Sequence, residues 1–191
     1  MVVKETLIAE DGDWMEEVFP QLDSEEEKTR DRRKPIALAL GIIILLLLAY
    51  YLVHLYWEHR RNVLAISHYK QGVEYYNQDQ LDKAIKEYKL SLKSNPKYKE
   101  ALSSLGLAYF YQGKWEEAIE QYRSALALDP KDIDLYNNLG TIYLNQGYLD
   151  KAAEEYKTAL RIAPADAVTH SNLGQVYFYQ NKLDSAQAEY E

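Results

Sequence analysis

Several residue types recur every 34 positions between residues 65 and 191, and this period constrains the fold more than any other feature of the chain. The rows in phase are Gly72, Gly106, Gly140 and Gly174; Ala84, Ala118, Ala152 and Ala186; Pro96, Pro130 and Pro164; Tyr75, Tyr109, Tyr143 and Tyr177; and Tyr88, Tyr122, Tyr156 and Tyr190. Five rows in phase do not arise by chance. A period of 34 residues indicates a solenoid of helix–turn–helix units that bury their apolar faces against each other.

Each unit contains two amphipathic stretches with helical spacing of apolar residues, such as Leu139 and Tyr143 in one stretch and Ala152 and Tyr156 in the next. The rows of Gly and Ala leave room for paired helices to approach closely. The pattern predicts helices over residues 65–78, 81–94, 99–112, 115–128, 133–146, 149–162, 167–180 and from 183 onward.

The turns between these helices have their own signals. Gly113, Gly147 and Asn181 follow the first helices, where a left-handed residue is favoured. The second helices should end before Pro96, Pro130 and Pro164, because the residue preceding a proline avoids the α region.

The first helices contain an L-G-x-x-Y motif, at Leu105-Gly106…Tyr109, Leu139-Gly140…Tyr143 and Leu173-Gly174…Tyr177. This motif resembles that of the tetratricopeptide (TPR) repeat family. The units would be residues 65–98, 99–132, 133–166 and an incomplete fourth, 167–191. The first unit departs from the pattern at His68 and Gln71, and terminal repeats are expected to be atypical. The resemblance implies an all-α fold in which the repeats form a right-handed superhelical solenoid.

In this family the concave surface is built from the first helices and binds peptides or helices. The resemblance implies a groove lined by three rows, which are Tyr69, Ser103, Asn137 and Ser171; Val73, Leu107, Thr141 and Gln175; and Tyr76, Phe110, Leu144 and Phe178. None of the twelve is charged, whereas family members that clamp acidic C-terminal tails use Lys and Arg there. An apolar or amphipathic partner segment is therefore expected. The alternative is that these rows only pack between repeats.

A single apolar stretch precedes the repeats. Residues 36–53 contain no charge, and only His54 interrupts the run to Trp57. Residues 36–57 would span as a helix about 30 Å, the thickness of a bilayer's hydrocarbon core, so we expect a transmembrane helix at 35–57 and lipid contact over 36–57. The run is longer than the apolar region of a signal peptide and ends in bulky aromatics, which favours an uncleaved anchor. His54 could ligate haem or a pigment, but its place near the end of the stretch favours an interfacial side chain.

Basic residues flank this stretch unequally. Five Lys and Arg lie in residues 28–34, against three soon after the span, Arg60, Arg61 and Lys70. The positive-inside rule then predicts a cytoplasmic N-terminus and repeats on the extracytoplasmic side, with a bacterial inner membrane as the expected location. The junction, residues 58–64, has no Gly or Pro, so the anchor and the first repeat could form one helix.

Residues 1–34 are expected to form a disordered tail, with ten acids and one Lys in residues 1–27 followed by the basic run. Four apolar residues share roughly one helical face within the tail and could dock on a cytoplasmic partner. These are Trp14, Val18, Phe19 and Leu22.

No catalytic, cofactor or metal motif is present, and the chain has no Cys, so we expect neither an enzyme nor a cofactor protein. A net charge of −8 argues against nucleic-acid binding. His68 and His170 are expected to be packing histidines, and pairs such as Glu154-Glu155 to lie on solvated outer faces.

The favoured function is a single-pass, membrane-anchored TPR scaffold, assembly factor or accessory subunit of a membrane or periplasmic complex. Three alternatives remain open. The chain could recruit substrate for an enzyme whose catalytic domain lies beyond Glu191, it could bind a pigment or haem through His54, or it could be an organelle import receptor with cytosolic repeats. The fourth unit ends inside its second helix, which favours a chain that continues beyond Glu191.

Overall fold

The computed structural model describes the backbone of residues 20–191 and the side chains from residue 28 onward. In this part of the chain every regular element is an α-helix, and the helices are α1 (Pro20–Asn77), α2 (Leu81–Ser94), α3 (Lys99–Tyr111), α4 (Trp115–Leu128), α5 (Ile133–Asn145), α6 (Leu149–Ile162), α7 (Ala167–Tyr179) and α8 (Leu183–Tyr190). The helices of the repeats end, and from Leu81 onward also begin, within one residue of the predicted positions, whereas the helix predicted to start at residue 65 is the last part of α1. The chain divides into two compact units between Trp57 and Glu58.

Helix α1 runs without a break through the apolar stretch and the junction, as the absence of Gly and Pro from residues 58–64 predicts. It also begins earlier than expected. Residues 20–34, which we placed in a disordered tail, are helical, and Pro20 occupies the first helical position, where its fixed φ is favourable and its missing N–H costs nothing. Pro35 lies inside the helix and donates no hydrogen bond to the preceding turn.

The part of α1 from Lys28 onward has the length and apolar composition needed to cross a membrane. Large apolar side chains between Ile36 and Trp57 are 41–72% exposed within the chain itself. This stretch therefore has no protein core of its own around it in the part of the chain that the structure describes.

Within each repeat the two helices meet at a glycine and a tyrosine that lie 16 positions apart. A Cβ on Gly72 would lie 2.6 Å from the ring of Tyr88, and a Cβ on Gly140 would lie 2.6 Å from the ring of Tyr156. Gly106 and Gly174 stand in the same relation to Tyr122 and Tyr190. The glycine row thus lets the helices approach closely, as predicted, and specifically makes room for an aromatic ring.

The turns between helices follow the predicted rules. Gly113 and Gly147 have φ values of 72° and 77°, and Asn181 has a φ of 59°. Asp79, which the sequence analysis did not single out, occupies the equivalent position in the first repeat with a φ of 59°. The second helices end immediately before the Asn, Asp or Ala that precedes each proline, and the backbone of those residues lies outside the α region.

Neighbouring repeats are joined by a recurring side-chain contact. Gln112 donates to Asp82 at 2.7 Å, and Gln180 donates to Asp150 at 2.8 Å. Gln146 makes the same contact with Glu116 at 3.2 Å. A residue after each first helix therefore contacts the start of the second helix of the preceding repeat.

Lys99 pairs with two carboxylates at the turn that ends the second repeat, and Arg123 of the second repeat pairs with Glu155 of the third. Lys99 Nζ lies 2.8 Å from Asp129 and 2.9 Å from Asp132, and its hydrogen bond to Asp129 lowers the pKa of that carboxyl. Glu155, which we expected on a solvated outer face, is instead buried and bonds to Arg123 of α4. Burial raises the pKa of Glu155, because a carboxylate that loses water is less stable in its charged form. The positive charge of Arg123 opposes that rise.

The two repeat histidines are hydrogen-bonded packing residues, as predicted. His68 Nδ1 lies 2.7 Å from Glu87, and His170 Nδ1 lies 2.7 Å from Glu189. His170 Nε2 also lies 2.9 Å from the carbonyl oxygen of Pro164. Both ring nitrogens of His170 therefore face hydrogen-bond acceptors. Only the imidazolium form, which carries a proton on each nitrogen, can donate to both of them. The Pro164 carbonyl, followed by Glu189, raises the pKa of His170.

Filling the space at one glycine tests the contact between paired helices. We expect Gly140→Ala to destabilise the solenoid by about 1–3 kcal/mol, because the new methyl group overlaps the Tyr156 ring. Glu154→Ala, on the exposed side of α6, is the control and should change stability by less than about 0.5 kcal/mol. Thermal unfolding followed by circular dichroism compares them. Helix propensity alone would make Gly140→Ala stabilising, and that result would contradict the packing argument.

The His170–Glu189 pair should contribute stability only below the raised pKa of His170. Because that pKa lies above the unfolded value, the contribution is complete at pH values below the unfolded pKa and is lost as pH rises through the folded one. We expect Glu189→Gln to lower the unfolding temperature at pH 6 and to have little effect at pH 9. Glu117→Gln, on the exposed side of α4, should show no such dependence. An effect of Glu189→Gln that is equal at both pH values would contradict the prediction.

Candidate partner-binding groove

The three predicted rows lie on the first helices of the four repeats, namely the end of α1, then α3, α5 and α7. Neighbouring first helices lie side by side, since the rings of Tyr76 in α1 and Tyr111 in α3 have centroids 6.2 Å apart. Each row therefore has one member on each of these neighbouring helices.

Two groups of contacting rings lie in the first two repeats, and together they are called the aromatic cluster here: Tyr69 with Tyr98, and Tyr111 with Tyr76 and Phe110. The centroid of Tyr111 lies 5.4 Å from that of Phe110, and Tyr69 lies 5.1 Å from Tyr98. Both pairs meet edge to face, which is a favourable geometry for aromatic rings. Three of these residues belong to the predicted rows.

The other two members, Tyr98 and Tyr111, were not predicted from the sequence. Tyr111 directly follows the third row, and Tyr179 holds the same position in the fourth repeat, where it lies 6.0 Å from Phe178. The recurrence of Phe-Tyr at the ends of two first helices was a signal that could have identified this pair. Tyr98 precedes α3 at a position that Asp132 and Asp166 occupy in the next repeats, so the repeat pattern gave no indication of it.

The cluster is anchored in the core but remains open to solvent. Tyr69, Tyr76 and Phe110 are half-buried and pack against the core of the first repeats. Tyr111 is 61% exposed, so its ring is available to a partner. In the fourth repeat Ser171, Gln175 and Phe178 are likewise exposed.

The third repeat uses its row residues differently. Asn137 is buried, and its Oδ1 accepts a hydrogen bond of 2.9 Å from the Thr169 hydroxyl of the next repeat. The Thr141 hydroxyl lies 2.9 Å from the Asn137 carbonyl oxygen and 3.1 Å from the Tyr156 hydroxyl. At these two positions the alternative explanation, packing within and between repeats, describes what the side chains do.

The remaining row residues are intermediate in burial. Val73 and Leu144 pack against the core clusters of the repeats, and Ser103 and Leu107 are half-buried. None of these four residues is charged.

The surface stays uncharged at physiological pH. Burial, followed by the nearby Tyr111, raises the pKa of Tyr76, and burial and Glu100 raise the pKa of Tyr98. Beneath them, burial raises the pKa of Tyr88 to about 12. The phenols are therefore neutral and can donate or accept hydrogen bonds at the rim of an apolar surface.

The other candidate positions are less informative. His54 lies in α1 with its ring centroid 6.5 Å from that of Tyr50. Among the described residues no group of three or more His, Asp or Glu could hold a metal ion. Of the docking motif, Trp14, Val18 and Phe19 lie outside the described residues, as does the side chain of Leu22.

Comparison with known proteins gives matches to the repeats. The model of the TPR repeat family matches residues 72–113, 106–147 and 142–181, which together span more than half of the chain. A comparison with curated protein sequences gives no match.

Solved structures with the same fold include several TPR proteins. A crystal structure of MamA shares 27% identity, covers 66% of this chain and 74% of that chain, and has a TM-score of 0.63. MamA 41-end from Desulfovibrio magneticus RS-1 shares 21% identity over 66% of this chain and 71% of that chain, with a TM-score of 0.62. The first TPR of Spaghetti (RPAP3), bound to the HSP90 peptide SRMEEVD, shares 21% identity over 63% of this chain and 95% of that chain, with a TM-score of 0.60.

The matched segments contain three of the four glycine–tyrosine contacts and all four left-handed turn residues described above. A family match over this length accounts for both the period and the geometry. The chain therefore belongs to the TPR repeat family and has the architecture of a protein-interaction scaffold.

Proposed function

We propose that the chain is a membrane-anchored TPR scaffold that binds an apolar or amphipathic segment of a partner protein and serves as an assembly factor or accessory subunit of a membrane or periplasmic complex. The observation that carries the proposal is the uncharged aromatic cluster on neighbouring first helices. The repeats would stand on the extracytoplasmic side, with the N-terminus in the cytoplasm.

The chemistry of the groove determines the kind of partner. The RPAP3 structure contains an HSP90 peptide that ends in acidic residues, and a groove for such a tail needs cations. None of the twelve row positions here carries a charge. Aromatic rings such as Tyr111 and Phe178 instead offer large apolar contact areas and lose little conformational entropy on binding. An apolar or amphipathic segment is the better match.

The exposed apolar part of α1 supports a membrane anchor. A run of Leu and Ile side chains that the chain leaves uncovered is unfavourable in water, and hydrocarbon removes that cost. A continuous helix also satisfies its own backbone hydrogen bonds, which a lipid environment requires. The excess of Lys and Arg in residues 28–34 supports the proposed orientation.

Removing aromatic rings tests the groove. We expect Tyr76→Ala with Tyr111→Ala to weaken capture of the natural partner by about 2 kcal/mol, or about thirtyfold, because aromatic residues dominate such interfaces. The matched control is Tyr148→Ala, which removes an exposed tyrosine outside the three rows and should leave capture unchanged. Partners are recovered by detergent-solubilised pull-down and quantified by mass spectrometry.

Two results would count against the groove. The first is a loss of helicity in the double variant, which would mean that these rings are core residues. The second is partner capture that collapses as salt rises, because an uncharged groove forms no ion pairs that salt could screen.

Labelling of introduced cysteines tests the anchor and its direction, since the chain has none of its own. In intact cells we expect Gln187→Cys to react with a membrane-impermeant maleimide, because Gln187 is exposed and the repeats lie outside the cytoplasm. Thr6→Cys, near the N-terminus, should react only after permeabilisation. The opposite labelling pattern would show that the repeats lie in the cytoplasm. Release of the protein from membranes by alkaline carbonate would contradict the membrane anchor.

A further inference from the structure

The turn that ends the first repeat differs in charge from the equivalent turns. It contains Lys93 near the end of α2 and Lys97 after the proline, with no acid in residues 93–98. The second repeat has Asp129 and Asp132 at the corresponding turn, where both bind Lys99. The third has Asp166, which caps α7.

Contacts within the first repeat place this basic turn beside the beginning of the repeat. Asn95 Nδ2 donates to Asn62 Oδ1 at 3.0 Å, and the Ser91 hydroxyl donates to the Ala65 carbonyl oxygen at 2.7 Å. Arg60 and Arg61 immediately precede Asn62. Two cations from α2 and its turn and two from α1 therefore lie at one end of the first repeat.

All four of these cations are exposed, and no ion pair joins them to a carboxylate within residues 28–191. Lys99 and Arg123, by contrast, both have carboxylate partners. The charge at this end of the first repeat is available to an anion from outside the chain.

Two of the four cations, Arg60 and Arg61, lie close in the chain to the apolar stretch, which favours the phosphate groups of lipids as that anion. Trp57 ends the apolar stretch only five residues before Asn62, and five residues cannot extend further than about 18 Å. With the anchor of the proposed function, Arg60, Arg61 and Asn62 therefore stay close to the headgroup layer, and Asn95 lies beside Asn62. Basic residues close to a membrane span are attracted to anionic lipids.

We propose that Arg60, Arg61, Lys93 and Lys97 form a binding site for the phosphate groups of anionic lipids. The site holds the basic end of the first repeat at the bilayer surface, on the side of the span that faces away from the N-terminus. This proposal rests on the membrane anchor of the proposed function. It assigns a lipid ligand to a surface that is separate from the groove.

The test uses the full chain in mild detergent, titrated with phosphatidylglycerol or phosphatidylcholine and followed by native mass spectrometry. We expect preferential binding of phosphatidylglycerol. Neutralising the cluster with Arg60→Gln, Arg61→Gln, Lys93→Gln and Lys97→Gln should weaken that binding at least about fivefold, which corresponds to the loss of even one such charge contact.

The matched control carries Lys114→Gln, Lys131→Gln, Lys151→Gln and Lys182→Gln, which remove the same charge from exposed positions of the later repeats. It should bind phosphatidylglycerol as the wild type does, and thermal unfolding verifies that both variants remain folded. An equal loss in the control, or equal binding of the two lipids by the wild type, would overturn the proposal.

Two further arms separate the possible explanations. Inorganic phosphate that displaces the lipid more effectively than chloride of equal ionic strength would assign the site to free phosphate and overturn the lipid assignment. Alkaline extraction of the wild-type protein from membranes tests the anchor independently. If the protein is extracted, the anchor fails, while the titration still decides whether the four cations bind the lipid phosphate.

Discussion

The contact between a glycine on the first helix and a tyrosine ring on the second determines the geometry of every repeat. Because the glycine has no side chain, the ring can lie against the helix backbone at a distance that any Cβ would prevent. This close approach fixes the separation of the paired helices and buries Tyr88, Tyr122 and Tyr156 almost completely. Neighbouring first helices lie next to each other along the solenoid, and the three rows of the proposed groove lie on these helices.

The contacts between repeats and the rows of the proposed groove use different kinds of side chain. Charged and amide side chains connect the repeats at defined points, as Gln112 does with Asp82 and Arg123 does with Glu155. The groove rows carry no charge, and their aromatic members pack partly against the core. The rings that we propose as the binding surface therefore also support the structure of the repeats. An exposed ring such as Tyr111 has more freedom to serve a partner than Asn137, which is occupied between repeats.

The sequence predicted the repeats well because their signals are local and occur several times. The glycine row, the prolines and the left-handed turn residues each act within a few positions of the chain, and repetition removes chance matches. The burial of Glu155 was not predictable in this way, because its partner Arg123 lies in another repeat and the acid pair resembled a solvated face. Tyr98 and Tyr111 were missed for a related reason, since their significance comes from rings in neighbouring helices. The helical start at Pro20 was missed because acidic composition outweighed a favourable first residue.

The recurring Gln contact has a consequence for how the protein can change in length. An acidic residue lies at the start of the second helix of one repeat, and a Gln after the first helix of the next repeat donates a hydrogen bond to it. A duplicated 34-residue segment would therefore carry both halves of this connection and fit between existing repeats without any new complementary surface. Tandem duplication could therefore lengthen the proposed groove by one whole repeat at a time. The inserted repeat would already fit its neighbours, so selection could act on its binding residues alone.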